Sequence, residues 1–168
     1  MSVGKTTLVN ALKETEQFKG YKFRTERSKE LMAQGIPLNT DSTLKGQTVF
    51  LAERCGELMY NNIITDRTII DVMAFTLNAK SIQDEEKKIF ENYAKELISE
   101  YDYIFYISPD GIPIEDNGVR ETDEHYRDVI DFTISSLIKK YGHRAGKLKM
   151  ISGSTNERIQ QILNITNL

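Results

Sequence analysis

The chain opens with Met1-Ser2-Val3-Gly4-Lys5-Thr6-Thr7-Leu8-Val9. Gly4-Lys5-Thr6 matches the end of the phosphate-binding pattern G-x-x-x-x-G-K-[ST], and residues 1–3 fill three of its four spacer positions. The first glycine of the pattern, and the strand that leads into such a loop, would lie before Met1. The stretch therefore predicts a phosphate-binding loop that this sequence enters halfway.

The residue types in this loop suit a bound polyphosphate. Gly4 lets the backbone approach a phosphate without a Cβ in the way, and Lys5 places an ammonium group against the β- and γ-phosphates. Thr6 offers a hydroxyl to Mg²⁺, and with Thr7 it opens a helix whose free N–H groups point at the anion. We therefore interpret Gly4 to Thr7 as a site for the phosphates of ATP. The alternative is an ordinary helix start capped by Ser2.

The composition limits the class of protein. The 168 residues suffice for one domain, and a net charge of −3 argues against a general nucleic-acid binder. Cys55 is the only cysteine, and His125 and His143 are the only histidines, which excludes a disulfide framework and a cysteine- or histidine-based metal site. No apolar run has membrane-spanning length. We expect a cytoplasmic protein with no membrane partner, whose metal is Mg²⁺ brought in with a nucleotide.

Apolar periodicity predicts strands that alternate with helices. Strands are predicted at 21–24, 62–67, 101–107 and 147–151. Helices are predicted at 6–16, 26–32, 47–60, 71–77, 84–99, 123–141 and 156–163. In the helix at 84–99, Ile89, Tyr93 and Leu97 share one face, and we expect Tyr93 in the core.

This order of elements predicts an α/β fold. We expect the three layers of a P-loop NTPase, with a parallel sheet flanked by helices and the first strand missing from the sequence. The single domain would span residues 1–168, with a lid segment at about 109–127. Ligands of such a sheet bind beyond the carboxyl ends of its strands, so the segments that follow the strands would form one rim.

Asp66 and Arg67 end the strand at 62–67 and so belong to this rim. The Asp66 carboxylate could hold Mg²⁺ or take a proton from an attacking hydroxyl, and the planar fork of Arg67 could grip a phosphate. The alternative is a structural pair in which Asp66 caps the next helix. The Gly4 to Thr6 motif makes us favour the catalytic interpretation.

Arg120 and Arg127 flank a predicted helix start after a loop rich in glycine and proline. Both could close over the transferred phosphoryl group as a lid and neutralise its spread charge. The alternative is a solvated helix start in which Asp123 pairs with Arg127. We favour the lid role for Arg120 and leave both interpretations open for Arg127.

Three further residues are candidates for contacts with an acceptor. Glu26 and Arg27 follow the strand at 21–24, and could bind or deprotonate an acceptor hydroxyl; a charged helix start is the alternative. Gln47 could hydrogen-bond an acceptor base or sugar. For Gln47 the alternative is an amide in a loop that simply faces solvent.

Ser152 and Gly153 follow the last predicted strand. We expect backbone contacts from this segment to a nucleotide. The alternative is a helix start with Ser154 or Thr155 as N-cap and Glu157 completing a capping box.

With these pieces in order, the chain resembles the P-loop kinases of small molecules. It is most similar to the group that holds the nicotinamide riboside kinase domain and related phage and bacterial ATPase-kinases, and more distantly to deoxynucleoside and thymidylate kinases. The resemblance rests on four ordered segments, namely Ser2-Val3-Gly4-Lys5-Thr6-Thr7-Leu8, Asp66-Arg67-Thr68, Gly118-Val119-Arg120, and Ile151-Ser152-Gly153-Ser154 with Glu157-Arg158.

The resemblance implies transfer of a phosphoryl group from ATP, with Mg²⁺, to a small acceptor. Carried over by residue, Gly4 to Thr7 would hold the phosphates and Mg²⁺, Asp66 would act as base or metal holder, and Arg120 would be a lid arginine. A nucleoside- or nucleotide-like acceptor is the primary hypothesis, and a homodimer stays open. The rival functions are a kinase for a base hydroxyl in DNA, a nucleotide-binding ATPase or switch, and a non-catalytic remnant.

Overall fold

The computed structural model describes residues 3–25, 27–108 and 124–168. The strands in these ranges are β1 (Lys22–Arg24), β2 (Ile63–Thr65), β3 (Tyr103–Tyr106) and β4 (Lys147–Met150). The helices are α1 (Lys5–Lys13), α2 (Ser28–Ala33), α3 (Leu44–Glu57), α4 (Ile69–Asn78), α5 (Asp84–Ala94), α6 (Glu124–Tyr141) and α7 (Thr155–Thr166). None of the helices described here is both long and apolar enough to cross a lipid bilayer.

Two helix boundaries differ from those that the sequence pattern predicts. Helix α3 begins at Leu44, three residues before the predicted start, because the Thr43 hydroxyl accepts a hydrogen bond from the N–H of Gly46 at 3.1 Å. The predicted helix at 84–99 ends at Ala94 and continues as a 3₁₀ turn, Lys95–Glu100. The spacing of apolar residues alone predicts neither the cap at Thr43 nor the change to a 3₁₀ turn after Ala94.

The strands are parallel, as predicted, but they form two pairs. β1 pairs with β2, with Phe23 opposite Ile64, and β3 pairs with β4, with Ile104 opposite Leu148. Among the described residues these pairs are two separate sheets rather than one. Helices follow each strand, so the parallel α/β architecture is confirmed while the single sheet is replaced by two halves.

Two apolar clusters lie on opposite faces of the strands. Ile104 belongs to a cluster with residues of α3 to α6, whereas Phe105 and Ile107 join a second cluster with residues of α1 and α7. Alternate residues of a strand point to opposite faces, so β3 contributes to both clusters. The result is a helical layer on each side of the strands.

The face of α5 that packs against the core differs from the predicted one. Ile89 and Tyr93 are 68% and 60% exposed, so the expectation that Tyr93 lies in the core is wrong. Phe90, Ala94 and Ile98 are buried instead. The two stripes have the same i, i+4, i+8 spacing and differ by one residue, so periodicity could not choose between them.

We expect the two neighbouring residues of α5 to respond differently to truncation. Phe90→Ala removes a ring that is 6% exposed and should lower the free energy of unfolding by about 3–5 kcal/mol, because it leaves a cavity. Ile89→Ala should change it by no more than about 0.5 kcal/mol. Urea unfolding measures both, and equal losses would contradict this assignment of the core face.

Candidate active site

The predicted phosphate loop turns into α1 at Gly4. Gly4 has a φ of +75° and is the N-cap residue, a conformation that glycine adopts without steric cost. It offers no capping side chain, and its carbonyl accepts the N–H of Leu8 at 2.9 Å. The helix therefore starts directly at the loop, and its positive dipole end faces the position predicted for phosphate.

Thr6 and Asp66 meet although they are far apart in sequence. The hydroxyl of Thr6, in the first turn of α1, donates a hydrogen bond to Oδ2 of Asp66, which follows β2. Asp66 is 2% exposed, and its Oδ1 is buried without a hydrogen-bond partner in the described part of the chain. The structure thus brings together the two residues predicted to hold Mg²⁺.

The oxygen atoms of Thr6 and Asp66 are suitable ligands for a magnesium ion. Hydroxyl and carboxylate oxygens are ligands that Mg²⁺ accepts, and it keeps several waters and phosphate oxygens as its other ligands. Oδ1 of Asp66 is a buried acceptor that still lacks a donor or cation within the described residues. Within the described residues, no group of three or more histidine, cysteine or acidic side chains could hold a metal ion. Thr6 and Asp66 would thus be the protein ligands of an ion that arrives with nucleotide.

The helix after β2 is capped by Thr68 and not by Asp66. The Thr68 hydroxyl accepts the N–H of Ile70 at 3.2 Å, and the Asp71 carboxylate accepts the N–H of Thr68 at 2.8 Å. These two bonds form a capping box at the start of α4. Asp66 is therefore not needed to end the helix.

Arg67 adopts an unusual backbone conformation beside Asp66. Its φ is +95°, which is strained for a residue with a side chain, and its carbonyl accepts the hydroxyl of Thr65 at 2.9 Å. Its guanidinium carbon lies 5.2 Å from the ring centroid of Phe75. No carboxylate of the described residues pairs with it within 4.0 Å. The guanidinium therefore packs against an aromatic ring, and its binding of a phosphate stays a prediction.

Sequence reasoning missed a buried ion pair on α3. Nη1 of Arg54 lies 3.4 Å from the carbonyl oxygen of Asp66, and Nη2 lies 2.9 Å from Oε1 of Glu57. Arg54 and Glu57 are 4% and 7% exposed. Burial raises the pKa of Glu57 to about 7, although the charge of Arg54 opposes this shift. The sequence did contain a sign of this pair, because Arg54 lies on the same helical face as the apolar residues Leu51 and Leu58.

Arg158 of α7 contacts the phosphate loop. Its Nη1 donates to the carbonyl of Val3 at 2.7 Å, and a Cβ added to Gly4 would lie 3.4 Å from the same nitrogen. Arg158 is 8% exposed. The sequence resemblance included Arg158 but assigned it no role. Its burial could have been predicted, because its spacing from Ile162 places it on the apolar face of α7.

Ser152 and Gly153 lie just before this helix and are exposed. Ser154 caps α7 in a capping box with Glu157, so the structural interpretation of this segment is confirmed. Gly153 has a φ of +91°, and a Cβ there would lie 2.6 Å from Oε2 of Glu157, so this capping requires glycine. The contact of Ser152 and Gly153 with a nucleotide stays a prediction.

Of the predicted acceptor residues, Arg27 contacts α3 and Gln47 belongs to it. Arg27 forms ion pairs with Glu30 at 2.5 Å and with Glu53 of α3 at 2.8 Å. Gln47 is 3% exposed and lies on the same face of α3 as Arg54, two turns away. Arg27 is thus engaged at the surface, whereas the side chain of Gln47 faces inward along a helix that reaches Asp66.

The remaining predicted residues differ in how far the structure describes them. Lys5 and Thr7 belong to the first turn of α1, with Lys5 half-buried and Thr7 exposed. Arg127 is 8% exposed, so a solvated start of α6 at this residue is wrong. Glu26, Arg120 and most of the predicted lid lie outside the described residues, and the lid stays a prediction.

Comparison with known proteins places this geometry in context. A family model described as an AAA domain matches residues 1–158. No curated protein is significantly similar to the chain. The fold is similar to that of the deoxyadenosine kinase from M. mycoides, whose structure contains the product dCMP and a flexible dCDP; identity is 16%, the match covers 99% of this chain and 95% of that chain, and the TM-score is 0.70. The predicted P-loop kinase-like fold is therefore confirmed.

The raised pKa of Glu57 predicts a pH dependence of stability. The folded protein holds this proton up to about pH 7, whereas an ordinary glutamate in the unfolded chain loses it near about pH 4.3. Stability therefore falls as the pH rises through this window. Glu57→Gln removes the titration, so we expect the Tm of this variant relative to the parent to increase from about pH 5 to about pH 8. Glu85→Gln, a change at the surface of α5, is the control, and a parallel pair of profiles would contradict the prediction.

Truncation of Arg158 tests its contact with the loop. Arg158→Met keeps the apolar stem but leaves the carbonyl of Val3 without its donor, so we expect a loss of about 1–3 kcal/mol in the free energy of unfolding. Arg144→Met removes an ion pair with Glu96 at the surface and should cost no more than about 1 kcal/mol. Denaturant unfolding gives both values, and similar losses would show that the loop does not depend on Arg158.

Proposed function

Because the chain belongs to this AAA-domain family, we propose that it is an ATP-dependent phosphotransferase, which moves the γ-phosphoryl group to a nucleoside- or nucleotide-like acceptor. The observation that carries the proposal is the hydrogen bond from Thr6 to Asp66. It joins the phosphate loop to a strand-end carboxylate, the two parts that position and neutralise a polyphosphate in phosphoryl transfer. The fold likeness to a deoxyadenosine kinase supports the choice of acceptor class.

The donor side of the proposed site is the start of α1. Gly4 and the first N–H groups of the helix bind the phosphates, and the Lys5 ammonium offsets charge on the β- and γ-phosphates. Thr6 and Asp66 would hold Mg²⁺, which would neutralise negative charge on the nucleotide phosphates. Arg158 supports the loop from behind through the carbonyl of Val3.

The acceptor side of the proposed site lies beyond β2. Arg67, held over Phe75, binds a phosphate or an acceptor oxygen. Gln47 and Arg27 bind the rest of the acceptor, with Glu26 as a candidate for the proton from its hydroxyl. The acceptor oxygen forms a bond to the γ-phosphorus, the bond from that phosphorus to the bridging oxygen of ADP breaks, and ADP leaves. The protein supplies position and charge rather than a covalent intermediate.

Arg120 and Arg127 complete the proposal as lid residues. A guanidinium close to the transferred group neutralises the equatorial oxygens of a loose transition state. Arg127 is a candidate for this role because it lies on α6 next to the predicted lid and is buried, and a buried cation needs charged or polar partners. Ser152 and Gly153 contribute backbone contacts to the nucleotide.

Substitution of Asp66 tests the proposed chemistry directly. With Mg·ATP and a panel of nucleosides and nucleotides, we expect a phosphorylated acceptor and ADP in equal amounts. Asp66→Asn should lower kcat at least about a hundredfold, because it removes a metal-holding charge. Asp84→Asn, the same change at an exposed position of α5, is the control. Product analysis by mass spectrometry provides the readout.

Three results would overturn the proposed function, once DNA carrying a base hydroxyl is added to the panel of acceptors and binding of Mg·ATP is measured alongside. Release of phosphate from ATP without a phosphorylated product would indicate an ATPase or switch. Transfer only to a base hydroxyl in DNA would indicate the second rival. Absence of any binding of Mg·ATP by the full protein would indicate a non-catalytic remnant.

A further inference from the structure

Arg67 has a backbone conformation that its residue type disfavours. Its φ of +95° lies in the left-handed region, where a residue with a Cβ is strained and glycine is not. The other non-glycine residues with positive φ in the described chain are Asn39 and Asn167. Asparagine tolerates this region because its short polar side chain can hydrogen-bond locally, whereas arginine has no such advantage. The presence of an arginine at this position therefore needs an explanation.

The short connection between β2 and α4 requires the chain to turn at this residue. β2 ends at Thr65 and α4 begins at Ile69. Asp66 still continues the strand ladder, because its N–H donates to a carbonyl of β1 at 2.8 Å. Thr68 is already extended, with a φ of −129° and a ψ of 179°. The change of direction therefore falls on Arg67.

The peptide group that follows Arg67 is bonded at both of its polar atoms. Its carbonyl, which belongs to Arg67, accepts the hydroxyl of Thr65 at 2.9 Å. Its N–H, which belongs to Thr68, donates to the carboxylate of Asp71 at 2.8 Å. Strained backbone persists only where its surroundings fix it, and these two bonds fix the peptide plane on one side of the Arg67 Cα.

Of the contacts around this turn, the hydroxyl of Thr65 is the one specific to Arg67. The bond between Thr68 and Asp71 belongs to the capping box of α4, which forms wherever such a helix starts. Arg54 lies 3.4 Å from the carbonyl oxygen on the other side of Arg67, which is longer than a usual hydrogen bond. The hydroxyl bond has a net free energy of the same order as the strain at one residue. It can therefore decide which conformation Arg67 adopts.

The conformation of Arg67 in turn decides where its guanidinium lies. Rotation about φ moves the Cβ relative to the preceding peptide group, so at a negative φ the side chain would start in a different direction. In the observed conformation the guanidinium carbon lies 5.2 Å from the ring centroid of Phe75, and the preceding residue is Asp66. The left-handed turn thus places a long cationic side chain next to a carboxylate that would hold metal.

We propose that Thr65 is a positioning residue, whose hydroxyl keeps Arg67 in the left-handed conformation that presents its guanidinium to a phosphate or an acceptor oxygen. Thr65 itself touches no substrate and acts through Arg67. The role in the reaction rests on the proposed function, in which Arg67 binds one of these oxygens. The hold of Thr65 on the backbone can be tested without turnover.

A double-mutant cycle tests whether Thr65 holds the turn. Arg67→Gly and Arg67→Ala both lack the guanidinium and differ by one Cβ, so their relative stability reports whether φ is positive at this position. Each is made in the parent, in Thr65→Val, which keeps the shape of the side chain without its hydroxyl, and in Thr65→Ser, which keeps the hydroxyl. Urea unfolding gives the six equilibrium constants.

In the parent and in Thr65→Ser, we expect the unfolding equilibrium constant of the glycine variant to be at least about threefold smaller than that of the alanine variant, because glycine is unstrained at positive φ. In Thr65→Val the turn relaxes to a negative φ, so the advantage of glycine should disappear or reverse. Thr166→Val is the control background. It removes another half-buried hydroxyl that donates to a backbone carbonyl, that of Ile162 at 2.8 Å, and should preserve the advantage of glycine.

Two results of the cycle would overturn the proposal. An equal advantage of glycine with and without the Thr65 hydroxyl would show that the turn keeps its conformation unaided. No advantage of glycine in the parent would show that Arg67 is not held at a positive φ. Neither result depends on ATP or on an acceptor.

Kinetics test whether the held conformation serves the reaction. With Mg·ATP and the panel of nucleosides and nucleotides, Thr65→Val should lower kcat/KM at least about tenfold, because a small misplacement of a binding group slows transfer. Thr65→Ser should keep at least about half of the parent value. An unchanged kcat/KM in Thr65→Val would overturn the positioning role. No turnover by the parent would overturn the proposed function and the positioning role with it, and the stability cycle would then decide the hold on Arg67 by itself.

Discussion

The candidate site depends on the hydrogen bond between the hydroxyl of Thr6 and the carboxylate of Asp66. The two residues are 60 positions apart, one at the start of α1 and the other after β2. The bond fixes the loop relative to the carboxyl ends of the strands, which is where a parallel α/β fold binds ligands. It also leaves one buried oxygen of Asp66 unsatisfied within the described chain, so the geometry favours the arrival of a cation.

Buried charge surrounds this contact in a pattern that stability alone does not explain. Arg54, Glu57 and Arg158 are each less than a tenth exposed, and removing such groups from water is costly even when they are paired. Their contacts lead to the backbone of Asp66 and of Val3. These charged side chains therefore hold in place the two segments that would bind phosphate and metal.

Much of the fold could be predicted from the sequence, because the spacing of apolar residues in a strand or a helix can be read from a short stretch of chain. The alternation of β-branched strands with amphipathic helices located the four strands found in the described part of the chain and the helices that follow them. The choice between two stripes of α5 could not be made, since the stripe of Ile89 and the stripe of Phe90 have equal spacing and only tertiary contact selects one. At the site, Gly4, Thr6 and Asp66 were found through their motifs. Arg54 and Arg158 act through backbone carbonyls, and such contacts leave no pattern in the sequence.

The bond between Arg158 and the carbonyl of Val3 has a consequence for synthesis of the protein. It joins positions 155 residues apart, one near the beginning of the sequence and one in the final helix. During translation the first residues emerge long before α7 exists, and domains fold as units once their distant contacts can form. The loop therefore stays without its support while the ribosome adds nearly the whole chain. A nascent polypeptide of this sequence therefore lacks the contact of Arg158 with Val3 until α7 has left the exit tunnel.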